Sequence, residues 1–179
     1  ERALAKHSDT RAYDGTLLTP LGAAIYGKDE ESAVALLDGG DDPNEVDGIG
    51  WNALHIAAWK GCRPPLFQRV VARIHDVNAG DNDGRTALMW AAIYNKLDVV
   101  MSLMNHPDID LNVQNRYAHK RTALHYAVLH KNPAIVSQLL SDDKIDASLK
   151  NRWNRTALKN AIELGYTECA QIIRAHLSK

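Results

Sequence analysis

Apolar residues in this chain fall into short clusters at helical spacing, and the clusters come in pairs separated by polar turns. The first member of a pair is a short Ala-rich stretch, as around Ala57-Ala58, Ala91-Ala92, Ala127-Val128 and Ala161-Ile162. A break follows, and then a second stretch such as Val99-Val100 with Leu103-Met104, or Ile135-Val136 with Leu139-Leu140. The pattern predicts pairs of short helices. It also repeats: Thr19-Pro20-Leu21, Asn52-Ala53-Leu54, Thr86-Ala87-Leu88, Thr122-Ala123-Leu124 and Thr156-Ala157-Leu158 begin at intervals of 33, 34, 36 and 34 residues. A fixed period of this length signals stacked structural units.

The boundary residues agree. Thr is a good N-cap, and Pro20 after Thr19 sits where a helix loses nothing by a missing N–H. Gly61, Asn95 and Gly165 tolerate the left-handed conformation that ends a helix, although Lys28 and Lys131 occupy the matching place in other units. Asn132-Pro133 and Thr167-Glu168 read as starts of second helices with Asn132 or Thr167 as cap, and Arg63-Pro64-Pro65 shifts the corresponding start to Pro65. Asp- or Asn-led turns such as Asp81-Asn82-Asp83-Gly84 join successive units. The fourth, Asn115 to Arg121, is longer by two residues.

Asp81 through Asn95 and Asp47 through Gly61 follow the pattern D-x-x-G-x-T-P-L-H-x-A-A-x-x-G, with His55 and His125 at its histidine, and on these residues the chain resembles the ankyrin-repeat family over about residues 14–179. The resemblance implies an all-α repeat solenoid of paired antiparallel helices joined by β-turn or hairpin fingers. It implies one domain over 1–179, with repeats starting near Asp14, Asp47, Asp81, Asn115 and Asn151. Residues 1–13 then form a partial repeat or cap, with Arg2 to His7 covering the first unit. In the last unit Lys159 and Asn160 occupy places filled elsewhere by His125 and Tyr126 or by Met89 and Trp90 and are expected to face the next repeat, which makes that unit a polar C-terminal cap.

Function in this family resides on the concave surface, built from finger tips and the exposed side of each first helix. That implies partner contacts at Tyr26, Trp59, Lys60, Ile93, Tyr94, Leu129 and His130 on the helices. On the fingers it implies Trp51, Arg85, Tyr117, Lys120, Arg152, Trp153 and Arg155. The aromatics support the assignment independently, because Trp51, Trp59, Trp90 and Trp153 all lie in turns or first helices and aromatic rings dominate binding hot spots. Trp90, directly before an Ala pair, reads instead as core. His55 and His125 are expected to bond to the backbone of the adjoining repeat.

Charge adds an expectation of polarity. Early turns carry Asp41, Asp42, Glu45, Asp47, Asp81 and Asp83, later ones Arg116, Lys120, Arg121, Arg152 and Arg155. The formal net charge is only -1, so the field that drives non-specific nucleic-acid binding is missing. No apolar run is long enough to span a membrane. Cys62 and Cys169, without a CxxC or a Cys/His pair, read as reduced core residues of an intracellular protein. No nucleophile and base, no phosphate-cradling loop and no metal-ligand spacing can be assembled. The turn at Asp81 resembles a calcium loop but lacks the distal glutamate.

The expected function is therefore a non-catalytic module, monomeric in isolation and without a cofactor, that binds a peptide segment or folded domain of another protein. Two alternatives stand beside it. One is a targeting or regulatory domain of a larger enzyme or of a host-directed bacterial effector, with Glu1 in place of a start methionine pointing to a fragment or processed product. The other, implied by the family, is a substrate of an asparaginyl hydroxylase at Asn44, Asn78 or Asn112.

Overall fold

The computed structural model describes residues 17–178, so Asp14 and the expected covering segment from Arg2 to His7 lie outside the described residues. Among the described residues ten helices alternate as first and second members of five units: α1 (Pro20–Tyr26) with α2 (Glu30–Gly39), α3 (Ala53–Lys60) with α4 (Pro64–Val71), α5 (Ala87–Ile93) with α6 (Leu97–Met104), α7 (Ala123–Leu129) with α8 (Pro133–Leu139), and α9 (Ala157–Glu163) with α10 (Thr167–Leu177). The described residues contain no strand longer than a bridge; Gly80 and Thr86 form one antiparallel bridge that closes the third finger.

Each first helix starts on a polar side chain that accepts a backbone N–H. Thr19, Thr86, Thr122 and Thr156 do so, as does Asn52, and a cap of this kind contributes about 1 kcal/mol. Each unit then turns through one left-handed residue: Lys28, Gly61, Asn95, Lys131 and Gly165, with φ between 54° and 71°. Lys28 and Lys131 take the positive φ that the glycines take elsewhere, because the packing of both flanking helices outweighs a backbone cost of about 1–2 kcal/mol.

First helices pack against first helices along the whole row. A continuous core runs between the two rows through Leu54, Leu88, Leu103, Leu124, Ile135, Leu139 and Ile173, all fully buried. No unit could bury this face alone, which is why the units must stack.

Three boundary details differ from the sequence expectation. Helix α4 begins at Pro64 rather than Pro65, since both prolines fit a first turn whose N–H groups have no intrahelical acceptor. Thr167 is inside α10, with Tyr166 at the cap position. Asn132 occupies its cap position but its Nδ2 donates 2.7 Å to the Ala92 carbonyl of the preceding unit, so it joins units instead of capping.

The last unit also departs from expectation. Lys159 is exposed where the other units place a buried residue, but Asn160 turns toward the fourth unit and is buried. Ile162 and Leu177 stay exposed, at 51% and 55%, so the open face is mixed and not polar. Helical period explains Ile162: its equivalents Ala58, Ala92 and Val128 are covered by the following unit.

Candidate functional site

The fingers are built from one device used four times. Asp47, Asp81, Asn115 and Asn151 each donate a backbone N–H across the turn, to the carbonyls of Trp51, Arg85, Arg121 and Arg155 respectively. Their side-chain oxygens accept turn N–H groups as well: Ile49 and Trp51 for Asp47, Asp83 and Arg85 for Asp81, Arg121 for Asn115, Trp153 and Arg155 for Asn151. The position just before the residue that closes each turn takes positive φ, at Gly50, Gly84, Lys120 and Asn154. Neighbouring fingers are tied by Asn82 N–H to the Ile49 carbonyl at 3.1 Å and by Arg152 N–H to the His119 carbonyl at 2.9 Å.

On this frame a run of aromatic rings crosses the first three units. The Trp59 centroid lies 5.4 Å from Tyr26, 5.0 Å from Trp51 and 5.8 Å from Tyr94. Trp90 lies 4.7 Å from Trp51 and 5.9 Å from Tyr94. Trp59 directly follows its Ala pair and Tyr94 stands one place further on in the next unit, at the C-cap of α5, yet the two rings lie side by side as the sequence implied. Tyr26 and Trp59 are half-buried and Tyr94 is 45% exposed. The Lys60 ammonium sits 3.9 Å from the Tyr26 centroid and 4.6 Å from that of Trp59. Its pKa is lowered by burial and then by the charges of Lys28 and Lys96, so it is a cation short of counter-charge.

Trp51, expected at a finger tip, is a correction: it is 7% exposed and wedged edge-on between Trp59 and Trp90. Trp90 is core, as its position implied. Both indoles donate to one carboxylate oxygen, Asp81 Oδ2, at 3.2 and 3.1 Å, and Arg85 Nε donates to the same oxygen at 3.1 Å. Arg85 also covers the Trp90 ring at 4.5 Å and pairs with Asp83, so its guanidinium serves the finger itself. Of the acidic residues in the early turns, Asp81 is buried, Asp83 is paired and Asp47 Oδ1 serves its own turn, while Asp42 and Glu45 stay exposed. A carboxylate with both oxygens occupied by donors has no capacity left for calcium.

The later fingers are different. Tyr117 is 76% and Trp153 46% exposed, and Lys120, Arg152, Arg155 and His130 are exposed as well. Ile93 and Leu129 are half-buried on the same wall. His119 meets the Trp153 ring at 4.9 Å, and Arg155 pairs with Glu163 at 3.0 Å.

His55 Nε2 lies 3.1 Å from the Arg85 carbonyl and His125 Nε2 3.0 Å from the Arg155 carbonyl, each reaching into the next unit as expected. Their Nδ1 atoms face the caps Asn52 and Thr122. Burial pushes both imidazoles below their ordinary value near 6.5. Cys169 is core, whereas Cys62 is half-buried beside a cavity of about 650 Å³ shared with Lys28, Lys60 and Lys96. Burial pushes the Cys62 thiol up to about 12, far from nucleophilic.

Sequence reasoning missed the role of Asn44, Asn78 and Asn112. Each donates Nδ2 to a carbonyl of the next unit (Arg73, Asp108, Lys144) and accepts an N–H there (His75, Asp110, Asp146) at 2.7–3.0 Å. The long segments Asn105–Asp110 and Ser141–Asp146 are the receiving ends of this ladder. The signal was present, since the three asparagines recur at the repeat interval.

A family model described as ankyrin repeats matches the chain in three overlapping copies, over residues 21–115, 64–151 and 108–178.

Proposed function

We propose, from the premise that this chain belongs to the ankyrin-repeat family, that it is a non-catalytic interaction module holding a peptide segment or folded domain of another protein against its concave face. Ankyrin repeats generally mediate protein–protein interaction, and the finer reading rests on one observation: Tyr26, Trp59 and Tyr94 form a continuous, partly exposed aromatic strip on three successive units. Such a strip offers large apolar area on side chains with few rotatable bonds, already fixed by their neighbours, so little entropy is lost on binding. The acid–base groups near it serve the fold: His55 and His125 tie units together, and Asp81 holds two indoles and a guanidinium. The same reading makes the module monomeric in isolation, intracellular, and a binder of protein and not of nucleic acid, in keeping with its formal charge of -1.

Titration of an affinity-captured partner against Trp59→Ala and Tyr94→Ala tests the reading. Loss of a central interface aromatic costs about 2 kcal/mol or more, roughly a thirtyfold rise in Kd. Unchanged Kd for both variants contradicts the assignment of this face.

A further inference from the structure

At the opposite end of the groove, a cavity of about 160 Å³ opens between the fourth and fifth fingers, lined by Arg121, Trp153, Arg155, Asn160 and Glu163 among others. We propose that this pocket receives a single carboxylate side chain, an aspartate or glutamate of the bound partner, gripped by Arg121 and Asn160. The inference rests on the groove reading and adds the chemistry of what the groove binds.

Two donors in this pocket have no acceptor. Asn160 is only 4% exposed and its Nδ2 makes no hydrogen bond; Arg121 Nε is likewise buried and unpaired. A buried donor without a partner costs about 1–3 kcal/mol, a cost that an incoming acceptor removes. Arg121 is also pre-positioned, its guanidinium 5.7 Å from the Tyr126 centroid and 5.1 Å from that of Trp153. Among the described residues no carboxylate lies within 4.0 Å of it. Its field is felt nearby: after burial, the Arg121 charge is the next cause holding the His130 imidazole down.

The charge balance selects the ligand. Arg155 and Glu163 cancel each other at 3.0 Å, leaving Arg121 as the one uncompensated charge lining the pocket. One positive charge matches a carboxylate better than a phosphate dianion. A carboxylate also has acceptor sites for both donors at once. Arg116, Lys120 and Arg152 are exposed on the same two fingers and favour approach of an acidic segment.

The probe is a short acetylated oligoglutamate peptide, with oligoglutamine as control, titrated into the full chain while side-chain N–H resonances are followed by NMR. Saturable shifts of Arg121 Nε–H and the Asn160 amide are expected with oligoglutamate alone. Arg121→Gln should weaken binding about tenfold or more, and Arg121→Lys should weaken it too, because lysine keeps the charge but lacks the Nε donor. Asn160→Leu removes an unpaired amide, so it should melt no lower than the wild type and still bind oligoglutamate more weakly. Equal shifts with oligoglutamine would overturn the inference, as would wild-type affinity in both Arg121→Gln and Asn160→Leu, or tighter binding of a phosphoserine peptide of the same length, titrated in parallel, than of oligoglutamate. Trp59→Ala separates the two readings: a pocket that fails while partner binding still depends on Trp59 removes the carboxylate and leaves the groove. A pocket that binds oligoglutamate while partner binding ignores Trp59 removes the aromatic strip.

Discussion

Asp81 sits under the aromatic strip with its side chain almost wholly out of solvent, and three side-chain donors and two turn N–H groups converge on it. Replacing it with alanine strands two buried indole N–H groups and opens the finger. Asp81→Ala should therefore cost about 3–5 kcal/mol, seen as a large drop in Tm, and a shift of a degree or two would contradict this account of the carboxylate. The buried histidines set a pH dependence. An imidazole held below its ordinary value takes its proton first in the unfolded chain, so below about pH 6.5 the unfolded state carries more protons and stability falls as pH falls. Melts recorded from pH 7.5 downward should show Tm declining once pH passes about 6.5; a Tm flat to pH 5 would show that His55 and His125 do not titrate as described. The hydrogen bonds of both histidines were readable from a motif residue recurring at one register. The fate of Trp51 was not, because a finger residue and a core residue look alike until the neighbouring unit is in place.

Helices, caps and breaks follow from local chemistry, which is why the five units were legible from periodicity and from Thr, Gly and Pro at fixed offsets. Contacts between units are less legible. Asn78 illustrates this, since both its side-chain hydrogen bonds go to the backbone of the next unit, 30 and 32 residues away. Asn78→Ala should cost about 1–2 kcal/mol and, more specifically, speed hydrogen exchange of the Asp110 amide that its Oδ1 accepts. Exchange at Asp110 unchanged beside a native Tm would remove the ladder from the account. Helix α8 gives the contrasting case: Leu139 is fully buried, and Leu139→Ala should lower stability by about 2–5 kcal/mol in a thermal or urea melt.

Across the whole molecule the units place partly exposed aromatics toward one end of the groove and an arginine-rich pair of fingers toward the other. The strip was foreseeable, because Tyr26 and Trp59 occupy equivalent places in adjacent units and Tyr94 follows the next such place by one residue. Its strength as a scaffold was not: Trp59 packs on three rings, so Trp59→Ala should also lose about 1–2 kcal/mol of stability, while Tyr94→Ala, at 45% exposure, loses less. Tyr94 is therefore the cleaner reporter of binding. A photo-crosslinking residue at position 94, compared with one at exposed Ser137 on second helix α8, tests the central claim in extract from the source cells. A discrete protein adduct at position 94, absent at 137 and lost when Trp59→Ala is added, is the predicted result. Adducts at 137 alone, or an adduct at 94 indifferent to Trp59, would show that the concave aromatic strip is not where this protein binds.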